Sequence, residues 1–345
     1  MPMHKIIFII IKDYNTDLSK RQPWYSVKKL VSDLENLNYE VNVISEISDI
    51  PTNFSGCVVK IFGLKDLFFY KKRRYKLVYF MTFPIYGIDK FLLIPKKIII
   101  ENWSDLKRIF ILSLLPKFIL KNTLSKADEV IVISDRSEKI IFNIVKTKKY
   151  IPFIFNNWGG IKKKTTIQIE QKTIGYFGPP FTTRSFDDII LFFSWLNRNN
   201  YNLNKTIITR IERDDLKKKA EKYLNKLKDD TKLKIVSGFL DRQSLANELS
   251  EIDVLILPFK IVMSELPIVV LEALELGISI VTTKDSGIET ITKNQKNVLM
   301  LNNFSKDNYK EIIEFINNHE EDNFETIKKT IIRTNTKTLE AICKK

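Results

Sequence analysis

Short β-branched runs, each followed by a longer helical pattern, recur along the chain in two series, and this alternation restricts the fold more than any other feature. In the first half the strand-like runs fall at 5–11, 40–45, 57–62, 76–81, 97–100, 129–133 and 150–155, with helical patterns at 24–37, 103–124 and 135–145. Near 156–171 the pattern breaks at Asn156-Asn157-Trp158-Gly159-Gly160 and the polar stretch Lys162-Lys163-Lys164-Thr165-Thr166, which reads as a turn and linker. A second series follows, with strands at 173–177, 205–209, 232–236, 254–257, 279–282 and 297–301, and helices at 184–199, 214–227, 242–249 and 268–276. Strands that alternate with helices assemble as βαβ units around parallel sheets. The expectation is therefore two open α/β domains, which suits 345 residues. Such pairs hold ligand in the cleft at the carboxyl ends of their strands.

The supply of reactive side chains narrows the chemistry. Two cysteines, Cys57 and Cys343, and two histidines, His4 and His319, provide neither a zinc site nor a disulfide framework. Ser-His-Asp and Cys-His chemistry are equally short of parts. Carboxylates, basic residues and backbone amides must carry the function. The apolar run 6–11 is too short for a signal-peptide core. The run 109–120 is interrupted by Pro116 and Lys117 and falls short of the roughly 20 residues a bilayer requires. A cytoplasmic protein is expected, or one peripheral on the inner face of a membrane.

The most informative stretch is 252–291. It reads as a buried strand ended by Pro258, a loop, an apolar helix carrying Glu272 and Glu275, a closing Gly277, and a second buried strand. The start of that helix would turn unpaired N–H groups into the cleft, where they suit phosphate or sugar oxygens. Glu275, on a neighbouring face to Glu272, is expected in solvent.

Here the sequence resembles the retaining glycosyltransferases of the GT-B fold, family 4, which carry a loop of the type E-G-[FL]-[GP]-x-V-x-L-E-A-[ML]-x-x-G. The corresponding stretch is Glu265-Leu266-Pro267-Ile268-Val269-Val270-Leu271-Glu272-Ala273-Leu274-Glu275-Leu276-Gly277. The resemblance implies that Glu272 holds the nucleotide ribose hydroxyls, with Leu266, Pro267, Ile268 and Val269 also at the donor. The first acidic position of the family loop is occupied by Ser264, and Glu265 follows it. Either one fills the catalytic role of the family's first acid. The stretch 173–190 resembles the family's G-R-x-x-x-x-K-G-x-D turn, which contacts the diphosphate. Gly178 matches the glycine, Arg184 the lysine and Asp187 the acid, whereas Pro179 stands at the arginine and Ser185 at the second glycine. Arg184 would neutralise the leaving diphosphate.

Val236-Ser237-Gly238-Phe239-Leu240 resembles the turn whose backbone reads the base, so Phe239 and Leu240 join the donor set. The run 127–134 resembles the strand closing the acceptor domain, and 157–161 the hinge. The family's Gly-Gly loop after the first strand is absent, with 13–25 in its place, and its N-domain histidine is absent too.

The resemblance covers about 127–300 and implies an α/β GT-B enzyme: two Rossmann-like domains with parallel sheets facing across a cleft. It places an acceptor domain at 1–156, a linker at 157–171 and a nucleotide-sugar domain at 172–320. A final helix within 321–345 would pack back on the first domain. The implied reaction moves a sugar from a nucleotide-diphosphate sugar to a glycan, lipid-linked or protein-linked acceptor with retained configuration. No metal or other cofactor is expected, and no DxD-like acid cluster stands in the motif region. A GT-B nucleotide-sugar epimerase, or an inactive donor-binding protein, fits the same motifs with the Ser264 and Pro179 departures.

The chain carries a net charge of +15. Nine basic residues between Lys65 and Lys97, against Asp66 and Asp89, place +7 of it in one segment interleaved with aromatics. That mixture suits an anionic membrane surface. It equally describes a solvated face over an aromatic core. Single-stranded nucleic acid would suit it too, and a nucleic-acid-binding protein is the remote alternative, but no nucleic-acid motif accompanies the segment, so nucleic acid is not the expected partner.

Overall fold

A computed structural model describes residues 5–11, 22–61, 64–71, 74–86, 96, 99, 103–161, 172–209, 214–238, 240–262, 265–284, 286–293, 295–318 and 324–343. Among the described residues, twelve strands form two six-stranded parallel sheets. The first holds β1 (Lys5–Ile10), β2 (Tyr39–Ile44), β3 (Cys57–Ile61), β4 (Lys76–Phe80), β5 (Glu129–Val132) and β6 (Thr147–Lys149), in the order β2-β1-β3-β4-β5-β6. The second holds β7 (Thr173–Phe177), β8 (Asn204–Thr209), β9 (Leu233–Ser237), β10 (Val254–Leu257), β11 (Ser279–Thr283) and β12 (Val298–Leu301), in the order β12-β11-β10-β7-β8-β9. The order of each sheet reverses once, between β1 and β3 and between β7 and β10. Helices on both faces bury the central strands, which is why β10 reads VLIL and β5 EVIV rather than alternating apolar with polar.

The same device starts a strand in each sheet. Asp128, just before β5, accepts the Leu77 N–H at 2.8 Å, and Asp253, just before β10, accepts the Thr173 N–H at 2.8 Å. Ser134 caps the helix Asp135–Ile141 through the Ser137 N–H, as expected of an N-cap serine. Gly277, at φ +80, closes the helix Ile268–Glu275.

Four expected elements differ. The helix expected over 103–124 is two, Trp103–Leu114 and Lys117–Leu124, because Pro116 has no N–H to continue the ladder. The helix expected from residue 184 starts at Phe186, and Arg184 sits on the preceding 3-10 turn, Thr182–Arg184. Within 97–100, Ile99 is helical rather than extended, and the other three residues lie outside the described set. The strand expected at 150–155 is instead β6, three residues earlier, followed by irregular chain. Its apolar residues are buried as a strand's would be, but Pro152 interrupts the ladder and a side chain replaces it. The buried Asn335 accepts the Ile151 N–H at 2.8 Å and donates to the Ile151 carbonyl at 2.9 Å.

Asn335 belongs to the last helix, Phe324–Cys343, which crosses from one sheet to the other. Ile327 and Ile331 enter the core beside β10 and β11, and Leu339 and Ile342 enter the core of the first sheet. Lys76 donates to the Ala341 carbonyl at 3.2 Å, fixing the helix end to β4. Replacing Asn335 by alanine leaves a buried N–H and C=O unpaired. The expected loss is about 2 kcal/mol in urea unfolding. A loss below about 0.5 kcal/mol would mean that water takes over both bonds.

Candidate functional site

Parallel strands bring their carboxyl ends to one edge, and a reversal of order opens a crevice there. In the second sheet the reversal lies between β7 and β10, so the segments after these strands face one another. After β7 comes Gly178, at φ +153, where a Cβ would sit 3.2 Å from Arg184 Nη1 and 3.3 Å from the Tyr176 hydroxyl oxygen. Glycine thus leaves room for the Arg184 side chain. Ser185 takes φ +54, a left-handed conformation that glycine adopts without strain. The family pattern's glycine at this position has that physical reason.

After β10 comes Phe259, whose ring lies 5.6 Å from the Arg184 guanidinium. Burial lowers the Arg184 pKa, so its charge is held in a desolvated corner. The backbone N–H groups of Lys260 and Ile261 donate to the Thr183 carbonyl at 2.9 and 3.2 Å, tying the two segments together. The Lys260 ammonium lies 2.6 Å from Asp188 and 3.3 Å from Asp187. Burial raises the Asp188 pKa, and Lys260 offsets part of the rise. Sequence reasoning passed over Lys260. It follows β10 as Arg184 follows β7, and its ammonium is held by the two aspartates, in a chain that has Pro179 at the family's arginine position.

The loop then leads to the helix Ile268–Glu275, with Pro267 as its N-cap. Leu266 and Val269 are buried and Ile268 packs against the same core, so these three offer backbone rather than side chain at the crevice. Leu240, after β9, packs against that core as well. Glu272 keeps part of its surface open, yet burial pushes its carboxyl up to about 7, with Arg242 opposing the rise and Glu275 adding to it. Ser264 and Phe239 lie outside the described residues.

Glu265 is wholly buried and accepts from the Ser137 hydroxyl at 2.5 Å, across from the first sheet's helix Asp135–Ile141. Further links cross the same seam. The Tyr86 hydroxyl donates to the Val262 carbonyl at 2.9 Å and accepts from the Val262 N–H at 3.2 Å. The Asp135 N–H donates to the Thr290 hydroxyl at 3.0 Å. These partners lie 128 to 176 residues apart and carry no local signal.

Glu275 is not the solvent-facing acid expected. It is partly buried, and its carboxylate accepts the Asn156 and Asn157 N–H groups at 2.8 and 3.2 Å. There Asn157, Trp158, Gly159 and Gly160 all have positive φ, a left-handed turn that the Glu275 carboxylate anchors and that buries Trp158. Burial raises the Glu275 pKa, and the two backbone donors lower it.

Residues 160–333, about half of the chain, match the family described as glycosyl transferases group 1. No curated protein matches the sequence. Among solved structures, sucrose-phosphate synthase from Thermosynechococcus elongatus aligns over 99% of this chain and 95% of its own, with TM-score 0.64 and 10% identity. Anabaena HepE in complex with UDP and glucose aligns over 99% and 94%, with TM-score 0.55 and 13% identity. The apo structure of OtsA aligns over 93% and 74%, with TM-score 0.55 and 12% identity. At these identities the likeness is one of fold.

Proposed function

The chain belongs to the glycosyl transferases group 1 family and has the GT-B fold, and from that premise we propose that it transfers a sugar from a nucleotide-diphosphate sugar with retention of configuration. The observation that carries this reading is the crevice between β7 and β10, with Arg184 and Lys260 after those strands and Glu272 on the helix that follows. A similar fold holding UDP and glucose supports a nucleotide-sugar donor.

In this mechanism Glu272 accepts hydrogen bonds from the ribose hydroxyls, a role for a carboxylate. The segment around Phe239 and Leu240 lies against the base. The diphosphate, which gains charge as the sugar departs, lies against Arg184 and the first amides of the helix Ile268–Glu275, with Lys260 as second cation. Glu265, which meets Ser137 of the first sheet's helix, or Ser264 fills the place of the family's first acid on the side where the acceptor enters. Charge on the leaving group is met by side chains and amides, so transfer proceeds without a metal, and EDTA leaves the rate unchanged.

The acceptor is a glycan or a lipid-linked molecule presented at an anionic membrane surface on the cytoplasmic side. Exposed Phe68, Phe69, Lys71 and Arg74, within the basic aromatic segment, support that placement. No helix among the described residues is long and apolar enough to cross a membrane. A second reading, an epimerase or an inactive nucleotide-sugar-binding protein of the same fold, draws on Pro179 and on the Ser137 bond that occupies Glu265.

Thermal melting with UDP- and GDP-sugars tests the donor. At a hundredfold excess over Kd, the correct nucleotide sugar is expected to stabilise the protein by about 2.7 kcal/mol. Arg184→Ala should remove most of that shift. If no nucleotide gives a shift and oligonucleotides bind tightly instead, the proposal fails. Sugar transfer to an acceptor separates the enzyme from the inactive alternative.

A further inference from the structure

The helix Trp103–Leu114 turns two faces to two different surroundings. Inward, Leu106 and Ile109 are buried with Tyr86 and with Ile261 of the loop after β10. Ser113 accepts the Tyr86 N–H at 3.3 Å, which fixes the helix against the segment after β4. Outward stand Trp103, Lys107, Ile111 and Leu114, whose spacing puts them on one stripe of the helix surface. Trp103 is 43% exposed, Ile111 55% and Leu114 47%.

The next helix, Lys117–Leu124, repeats the division. Its Leu120 and Leu124 are buried in the first sheet's core, while Phe118 is 72% exposed and stands among exposed Lys117 and Lys121. Phe68, itself half exposed, adjoins this helix, because Leu67 shares the core with Leu120 and Leu124 and the Lys126 ammonium lies 5.6 Å from the Phe68 ring. Single exposed apolar residues are ordinary on a protein surface. Large ones repeated on neighbouring turns mark an interaction surface.

The charge around the patch selects the partner. Across 103–124 the chain carries Lys107, Arg108, Lys117 and Lys121 against Asp105, a net +3. A second copy docking by the same face would set these lysines against themselves. An anionic lipid surface meets them with opposite charge. Lysine stems lie along apolar surface with their ammonium at the phosphates, and a tryptophan ring settles at headgroup depth.

We propose that the outward face of these two helices seats on an anionic lipid bilayer. Trp103, Ile111, Leu114 and Phe118 enter the boundary between headgroups and chains, and Lys107, Lys117 and Lys121 meet lipid phosphates. This rests on the membrane placement of the acceptor and assigns the penetrating contact to this helix pair. About one helix diameter, roughly 10 Å, then separates the lipid from Ile261, the residue after Lys260, so a lipid-held acceptor enters close to the donor crevice.

Co-sedimentation of the full chain with phosphatidylglycerol vesicles is the test, and phosphatidylcholine vesicles should bind at least about tenfold more weakly. Ile111→Ser and Phe118→Ser should each weaken the anionic binding about tenfold. Lys117→Ala combined with Lys121→Ala should weaken it about as much. Brominated lipid should quench tryptophan emission, and Trp103→Phe should remove most of that quenching. Because the altered side chains are exposed, every variant should keep the urea midpoint of the unaltered protein. Equal binding to both kinds of vesicle, or unchanged binding in Ile111→Ser combined with Phe118→Ser, would overturn the proposal. Binding lost only in Lys71→Ala combined with Arg74→Ala would overturn it and leave the membrane reading standing. A dimer formed without lipid and broken by Phe118→Ser would assign the face to a second copy instead. Absence of binding to any vesicle would sink this proposal and the membrane placement together, while the melting shift with nucleotide sugar decides the transferase reading on its own.

Discussion

Replacing Gly287 by alanine is expected to lower stability by about 3 kcal/mol and transferase activity at least about a hundredfold. A Cβ at this position would lie 1.5 Å from the Glu265 carbonyl oxygen and 2.6 Å from its carbon, an overlap with backbone that no rotamer relieves. The Glu265 segment has nowhere to retreat. Its side chain is bonded to Ser137, and Leu266 is buried in the core next to it. The helix Ser286–Thr292 must therefore move, and with it Thr290, which receives the Asp135 N–H from the first sheet. One methyl group disturbs the acid, the loop after β10 and the seam together. Urea unfolding reads the stability and sugar transfer reads the activity. A variant with wild-type stability and rate would show that the 265–267 loop is free to shift, contrary to the packing described. Glu289→Ala, at an exposed position of the same helix, serves as the control for a mild change.

Much of this architecture was legible because it is periodic. The β-branched runs at 173–177 and 254–257 coincide with β7 and β10, and the βαβ alternation matches two parallel sheets. Glu272 and Arg184 could be singled out because their spacing resembles a known loop and turn. What escaped was set by contacts between distant parts of the chain. Lys260 follows a strand with no pattern around it, and its position against Asp187 and Asp188 depends on the strand reversal between β7 and β10. Ser137, Tyr86 and Thr290 are ordinary residues until the two sheets meet. Residues 150–155 misled for a related reason. They are apolar and buried like a strand, but their backbone partner is Asn335, 184 residues away from Ile151. Gly287 carries no signal of its role, because nothing local reveals that another backbone lies against it.

Glu272→Gln is expected to make the protein more stable while removing its hold on the donor. Burial raises the Glu272 carboxyl to about 7, so the folded chain binds this proton more tightly than the unfolded one, whose carboxyl titrates near 4.5. Stability therefore falls as pH rises from about 4.5 to about 7, and the penalty persists above that range. Its ceiling is about 3 kcal/mol, and the open part of the side chain reduces the expectation to about 1–2 kcal/mol. Glutamine has no charge to bury, so the variant's advantage should be full above pH 7 and vanish below about pH 4.5. Donor binding has the opposite sign. Only the carboxylate accepts two strong bonds from ribose hydroxyls, so wild-type affinity should drop about tenfold per pH unit once pH is below about 7. The glutamine variant should bind about a hundredfold more weakly at pH 8 and with little dependence on pH. A nucleotide lacking the ribose hydroxyls should bind the two proteins alike. Melting curves across pH 4–8, with and without UDP-sugar, read both trends in one series. If the variant gained stability yet kept full, pH-independent affinity, Glu272 would be a buried structural acid and the ribose would be held elsewhere. Joint loss of stability and affinity would instead mean that the ionised carboxylate has a protein partner. The expected pairing, greater stability with lost affinity, arises only if a charge is kept desolvated to await the hydroxyls of a ligand.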